Sequence, residues 1–345
     1  MQYKKPERLK RGDTVAVVSP SWGGPSRFPR VYENGLKVLR GWGLKIKEFP
    51  SARRDAAFLR ANPRFRAEDI NAAFSDPEIK AVIASIGGND SVRILPFLDK
   101  RVVSGNPKIL MGYSDTTTLH VFLNLQGVAS FYGPSVMGGL SQAESLPAGF
   151  QEHVRKMLFE PEDGYAYSPY KEYCEGYPDW GNEANLGKVN PLRASEGWRW
   201  LQGTGTVSGK LFGGCVEVLE MLKGTEFWPA REFWKGKIFF LETSEDKPPL
   251  WYIDQVLRNY GMLGVFERIN GLIFSRPMRY SDEEKTNLEA ALLRVAGEEF
   301  GRPDLPIVAN FDIGHTDPQV VLPLGIKAEI NCSAKSVRLT ESWLS

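Results

Sequence analysis

Three polar residues, Ser114, Glu242 and His315, each stand at or just past the end of a short apolar run. Together they are the residue types that acyl transfer needs. A serine hydroxyl is almost wholly protonated at neutral pH, so it needs a general base before it can attack a carbonyl. Histidine titrates in the right range, and a carboxylate beside it fixes the tautomer and stabilises the imidazolium. Ser114 follows Ile109, Leu110 and Met111 across Gly112 and Tyr113, and precedes Leu119, Phe122 and Leu123 at helical spacing. A serine on such a strand-to-helix turn is where an α/β hydrolase presents its nucleophile, with the helix end aimed at any oxyanion formed there. An N-cap serine in an ordinary turn fits the same stretch, and G-x-S-x-G is absent because Asp115 and Thr116 follow. Glu242 closes the run Ile238, Phe239, Phe240, Leu241, and His315 sits in a turn between Gly314 and Pro318. The other histidines are placed on helices, His120 after Ser114 and His153 on a helix predicted to be exposed. Taken singly, a strand-end glutamate and a turn histidine need no catalytic role. The order Ser, Glu, His is that of α/β hydrolases and decides nothing alone.

The elements that must hold these residues are legible from periodicity. Residues 14–18, 44–49, 81–86 and 109–111 read as strands alternating with helices, which implies a parallel sheet covered on its faces. Sites in such sheets form beyond the carboxyl ends of the strands. The loop Gly87-Gly88-Asn89-Asp90 and Ser114 both fall on that edge. Adjacent glycines there let backbone N–H groups approach an oxyanion, although a plain tight turn explains them equally. Their spacing matches neither a P-loop nor G-x-G-x-x-G.

From residue 147 to 205 the pattern changes to a long stretch rich in Tyr, Trp, Gly and Pro, including Tyr165, Tyr167, Tyr177, Trp180, Trp198 and Trp200. Long loops of this kind are often lids or binding loops, and aromatics on them suit stacking against planar ligands; a linker packed down by its aromatics is the alternative. A second α/β pattern follows. Residues 207–211, 237–241, 269–274 and 307–311 read as strands, and Ser281 with Glu284 forms a capping box. Residues 327–330 and 336–339 alternate like closing antiparallel strands. The expected division is 1–145 for the nucleophile-bearing domain, 146–205 for a linker and aromatic loop, and 206–345 for the domain bearing Glu242 and His315.

Bulk composition narrows the chemistry. The 345 residues carry 43 Lys and Arg against 42 Asp and Glu, so a net charge of +1 gives no reason to expect nucleic-acid polymer or an anionic membrane as partner. No run reaches the roughly 18 apolar residues of a membrane span, and the polar N-terminus lacks a signal-peptide core. Three widely spaced cysteines form neither a disulfide framework nor a zinc pair, which favours a cytoplasmic location. With three histidines and no H-E-x-x-H pattern, neither a catalytic metal nor a cofactor is expected.

Several motifs carry a family resemblance: Ser85-Ile86-Gly87-Gly88-Asn89-Asp90-Ser91, Gly112-Tyr113-Ser114-Asp115, Phe131-Tyr132-Gly133-Pro134, Gly213-Gly214, Leu241-Glu242-Thr243-Ser244-Glu245, Gly314-His315-Thr316 and Leu322-Pro323-Leu324-Gly325. In this order, over nearly the whole chain, they resemble the LD-carboxypeptidase family of serine peptidases, within it the branch typified by the microcin C self-immunity carboxypeptidase. The resemblance implies a flavodoxin-like N-terminal parallel-sheet domain, a smaller mixed α/β domain of swivelling type, and a homodimer. It implies a Ser114–Glu242–His315 triad, with the backbone N–H groups of Gly88 and Asp115 as oxyanion hole. The implied substrate is a small peptide or nucleotidyl-peptide whose C-terminal amide is cut without metal. Trp180 would stack on the base, Lys247 would contact a phosphate or carboxylate, and Asn89 is a further candidate contact. Murein tetrapeptide is the alternative substrate, and a non-catalytic ligand-binding protein the reading from another class. Two departures stand out: Cys215 replaces the family's usual Asn, and Ile86-Gly87-Gly88-Asn89 replaces the Arg-Gly-Gly-Tyr-type loop of cell-wall members. The second favours the nucleotidyl-peptide branch.

Overall fold

The computed structural model describes residues 2–345. Five short strands build the first sheet: Thr14–Val18, Lys45–Glu48, Ile79–Ala84, Ile109–Gly112 and Ser130–Tyr132. Counted in chain order they lie 2-1-3-4-5 and all pair in parallel, the flavodoxin-like arrangement expected from the resemblance. The central strands are buried from Ala81 to Ala84 and from Ile109 to Gly112, which explains why they read as continuous apolar runs rather than alternating ones. A sixth strand, Leu322–Leu324, returns from far down the chain and adds antiparallel to Ser130–Tyr132.

The second sheet has eight strands among the described residues. Its middle is parallel, from Thr206–Cys215 through Lys237–Glu242 and Gly271–Ser275 to Ile307–Phe311. Lys327–Asn331 and Ser336–Leu339 close it with the antiparallel pairing that their alternation predicted. Both outer strands, Tyr165–Ala166 and Arg199–Gln202, come from the aromatic stretch. The stretch is therefore not one continuous loop. Its ends are stitched onto opposite edges of the second sheet, where they satisfy backbone groups that an open edge would leave unpaired. Between them Glu172–Glu175 pairs with Thr316–Asp317 and with Arg193–Ala194.

The two sheets meet through helix Thr117–Leu125, which packs on the strand Thr206–Cys215. The Cys215 N–H donates to Thr117 Oγ1 at 3.1 Å, and a Cβ on Gly214 would lie 2.4 Å from the Thr117 side chain. Tyr132 and Phe240 stack edge to face at 5.1 Å across the same seam. This packing turns the carboxyl ends of both parallel sheets toward one cleft.

Candidate active site

Ser114 leaves the strand Ile109–Gly112 in a left-handed backbone conformation, φ 58°. That region is costly for a residue with a Cβ and is over-represented at functional turns. The serine makes no side-chain capping bond; a short 3₁₀ turn, Ser114–Thr116, leads into the helix instead. The cap alternative is thereby excluded. Gly87 makes the turn possible from outside, because a Cβ there would lie 3.0 Å from Ser114 Cβ and 3.1 Å from its Oγ.

His315 Nε2 lies 3.1 Å from Ser114 Oγ, and His315 Nδ1 lies 2.7 Å from Glu242 Oε2. Glu242 is wholly buried at the end of its strand. Gly314 lets it approach the histidine, since a Cβ there would sit 2.4 Å from Glu242 Oε2. Burial opposes charge on the His315 ring, but the Glu242 and Glu245 carboxylates outweigh it and raise its pKa well above the ordinary value. The three residues thus form one hydrogen-bonded chain, an arrangement able to pass a proton from hydroxyl to imidazole while the carboxylate holds the ring.

The other two histidines are structural. His120 lies 2.8 Å from the Gly112 carbonyl and 2.9 Å from Ser130 Oγ, and burial lowers its pKa to about 4. His153 is buried, not exposed as the sequence reading expects. Its helix face of Phe150, His153, Val154 and Met157 turns inward, Nε2 accepts the Val321 N–H, and burial takes the pKa to about 3.

The candidate oxyanion donors flank the serine. The Asp115 carboxylate is buried and accepts the N–H groups of Asp90 (2.9 Å) and Ser91 (2.8 Å). It thereby ties the loop carrying Gly87, Gly88 and Asn89 to the turn carrying Ser114. Gly88 packs on Ser21, whose Oγ would lie 2.3 Å from a Cβ at that position. Cys215 is buried, with Sγ 3.4 Å from Glu217 Oε2.

A cleft of about 620 Å³ opens over Ser114 and His315, lined among others by Trp22, Gly88, Asn89, Tyr113, Tyr177, Trp180, Glu245 and Arg279. Trp180 is backed by Tyr177 (4.9 Å between centroids) and Phe28 (5.6 Å). Lys247 is not brought to this cleft. Its ammonium pairs with Glu284 at 2.8 Å over the Tyr280 ring. Its backbone is left-handed, φ 52°, and the turn directs the side chain toward the Ser281 helix end. Among the described residues no group of three or more His, Cys, Asp and Glu is arranged to hold a metal ion.

Two further residues, Tyr132 and Glu245, stand in the family motifs and contact the site. Tyr132 donates to Glu242 Oε1 and accepts the Ser114 N–H at 3.0 Å. It bridges nucleophile and carboxylate. The available signal was its place at the end of a strand paired with Ile109–Gly112, where Gly112 and Tyr132 lie in register. Glu245 Oε2 lies 2.9 Å from His315 Nε2, on the nitrogen that faces Ser114.

Residues 15–133 match the LD-carboxypeptidase N-terminal domain and residues 208–330 the LD-carboxypeptidase C-terminal domain. The chain belongs to the LD-carboxypeptidase family. It is therefore a serine carboxypeptidase by family. The microcin C7 self-immunity protein MccF of Escherichia coli is 26% identical, covering 98% of this chain and 96% of its own. A structure of MccF in complex with aspartyl sulfamoyl adenosine superposes with a TM-score of 0.84, 25% identity and 99% coverage of this chain and 100% of its own. The "probable murein peptide carboxypeptidase" of Bacillus subtilis is 27% identical over 96% of this chain and 93% of its own. An MccF-like protein from Streptococcus pneumoniae, in complex with AMP, is 28% identical with a TM-score of 0.85, covering 95% of this chain and 98% of its own. No helix among the described residues is long and apolar enough to cross a membrane.

Proposed function

We propose that this LD-carboxypeptidase-family member hydrolyses the C-terminal amide of a nucleotidyl-peptide, an aminoacyl-adenylate-like compound, and so provides self-immunity or detoxification. The observation that carries the reading is the Ser114–His315–Glu242 chain opening onto a cleft walled by Trp180 and Tyr177. Ser114 Oγ attacks the scissile carbonyl while His315 Nε2 takes its proton. The N–H groups of Gly88 and Asp115 stabilise the oxyanion of the tetrahedral intermediate. His315 then returns the proton to the departing nitrogen, the C–N bond breaks, and water repeats the sequence on the acyl-serine. Glu242, fixed by Tyr132, keeps the imidazole in its working tautomer throughout.

The nucleotide half of the reading is supported by the aromatic wall and by the relatives solved with AMP or aspartyl sulfamoyl adenosine. The alternative substrate, murein tetrapeptide, is supported by the murein peptide carboxypeptidase relative. Lys247, expected on a phosphate or carboxylate, pairs with Glu284 and does not separate the two. Incubation with an aminoacyl sulfamoyl adenosine and with murein tetrapeptide, followed by mass spectrometry, separates the two. Turnover of the tetrapeptide alone rejects the nucleotide reading. A homodimer in the cytoplasm belongs to the same proposal, supported by the exposed Trp251 and Met262 on helix Leu250–Met262; sedimentation equilibrium tests the dimer.

A further inference from the structure

A single imidazole nitrogen does two jobs in acyl transfer. It accepts the serine proton, then hands it to the leaving group. Whatever touches His315 Nε2 besides Ser114 therefore stands where the departing nitrogen must come. Glu245 Oε2 stands there, at 2.9 Å.

Glu245 differs from Glu242 in being free to leave. Glu242 is wholly buried and held by Tyr132, whereas the Glu245 side chain is 57% exposed on the turn beyond it. Beside it lies Arg279, whose guanidinium donates to the Glu245 carbonyl at 3.4 Å and pairs with no carboxylate side chain among the described residues. Arg279 lines the cleft, with its NH2 3.6 Å from where a Cβ on Gly176 would sit, close to Tyr177. Its backbone is left-handed, φ 63°, a conformation that costs an arginine energy and persists where the surroundings impose it. A cation in a reaction cleft, next to a carboxylate lying against the proton-shuttling nitrogen, marks the place of a substrate anion.

We propose that Arg279 anchors an oxyanion carried by the leaving group, carboxylate or phosphoryl, and that Glu245 holds that anion's place until substrate arrives. The assignment rests on the serine-hydrolase reading above and adds the charge the substrate must carry. Before binding, Glu242 and Glu245 flank the imidazole, with the Tyr113 ring at 5.1 Å, Ser114 at 3.1 Å and Asp317 as the further carboxylate nearby. Two carboxylates beside one ring favour its charged form, against the burial that opposes it. The Glu245 carboxylate lies against His315 Nε2 while Arg279 donates to the Glu245 backbone carbonyl. When the leaving group's oxyanion reaches Arg279, Glu245 swings into solvent. The ring loses one of the carboxylates that favour its charged form, gives any proton on Nε2 to solvent, and leaves Nε2 free for the Ser114 hydroxyl and then the departing nitrogen.

The test uses three substrates with one acyl part, whose leaving groups end in a carboxylate, a phosphoryl group or a neutral carboxamide. In Arg279→Gln the preference for an anionic substrate over the carboxamide, read as the ratio of kcat/KM, should fall roughly 10- to 100-fold through KM, as expected for losing a charge-assisted hydrogen bond. Whichever anionic arm loses more identifies the anion, and Arg279→Lys should restore most of the preference. In Glu245→Gln the acid limb of kcat/KM should move to lower pH, because one of the carboxylates raising the His315 pKa is gone. An unchanged ratio in Arg279→Gln, or an unmoved acid limb in Glu245→Gln, overturns the proposal. Labelling of Ser114 by a serine-directed phosphonate separates the failures. If wild type labels and the ratio is unchanged, only the anchor assignment falls; if wild type neither labels nor cleaves any substrate, the hydrolase reading falls with it.

Discussion

Ser114 and His315 are 201 residues apart in the chain and 3.1 Å apart across the cleft. Ser114, the proposed nucleophile, follows a strand of the first sheet, and His315, its proposed base, follows a strand of the second. Hydrolysis therefore depends on the seam between the sheets, not only on the residues named.

The most direct consequence concerns Ser114. Ser114→Ala should reduce hydrolysis by roughly four to six powers of ten, the range seen when a serine nucleophile is removed. The alanine keeps the turn, so thermal unfolding should change little. Appreciable turnover by the variant, measured on either candidate substrate, would remove Ser114 from the mechanism.

Tyr132→Phe deletes one hydroxyl and leaves two groups unpaired, Glu242 Oε1 and the Ser114 N–H. A buried polar group left without its partner costs about 1–3 kcal/mol, so stability by denaturant titration should fall by that order. With the carboxylate and the nucleophile both less well held, kcat should drop about 10- to 100-fold, as for other groups that orient a catalytic pair, with KM nearly unchanged. A KM effect without a kcat effect would make Tyr132 a binding residue instead.

Trp180→Ala should raise KM for an adenylate-bearing substrate more than for a plain peptide. Stacking of a base on an aromatic ring contributes about 1–3 kcal/mol, so the difference should be roughly 5- to 150-fold. Equal KM changes for the two substrates count against stacking.

Two kinds of histidine give the protein opposite pH behaviour. The His315 pKa is raised, so kcat/KM should climb with pH through a value above about 6.5. Its contribution to stability runs the other way: complete below the unfolded value near 6.5, and lost as pH rises through the folded one. His153 is buried neutral with its pKa lowered to about 3, so its contribution is complete above about 6.5 and lost as pH falls toward 3. His153→Gln can still accept the Val321 N–H without titrating. Its melting temperature should fall less between pH 6.5 and 4 than that of wild type, and parallel curves would show that His153 does not carry the acid sensitivity.

The parts of the fold legible in the sequence were those with one dominant local cause. The runs at 15–18, 109–111 and 238–241 are apolar throughout because they are buried on both faces, and the strands lie there. Ser281 and Glu284 cap their helix reciprocally, as the spacing announces. The aromatic stretch was harder. Its strands are very short and pair with partners far away, so no local period marks them. His153 was misplaced because a lone polar residue on an inward face looks like surface until a buried Val321 N–H is found to need it.

The sequence by itself determined the residue types of the site, their places at strand ends, and the family to which the chain belongs. Chemistry-bearing side chains at the carboxyl ends of parallel strands are a local matter of pattern and turn. Only the tertiary structure decided which of them meet. Lys247 turns to Glu284, Tyr132 meets Glu242 and the Ser114 N–H beneath the cleft, and Glu245 and Arg279 line it. The physical reason is that contact between distant segments depends on how two sheets pack, and a side chain's partner is whichever opposite group that packing brings within hydrogen-bonding reach.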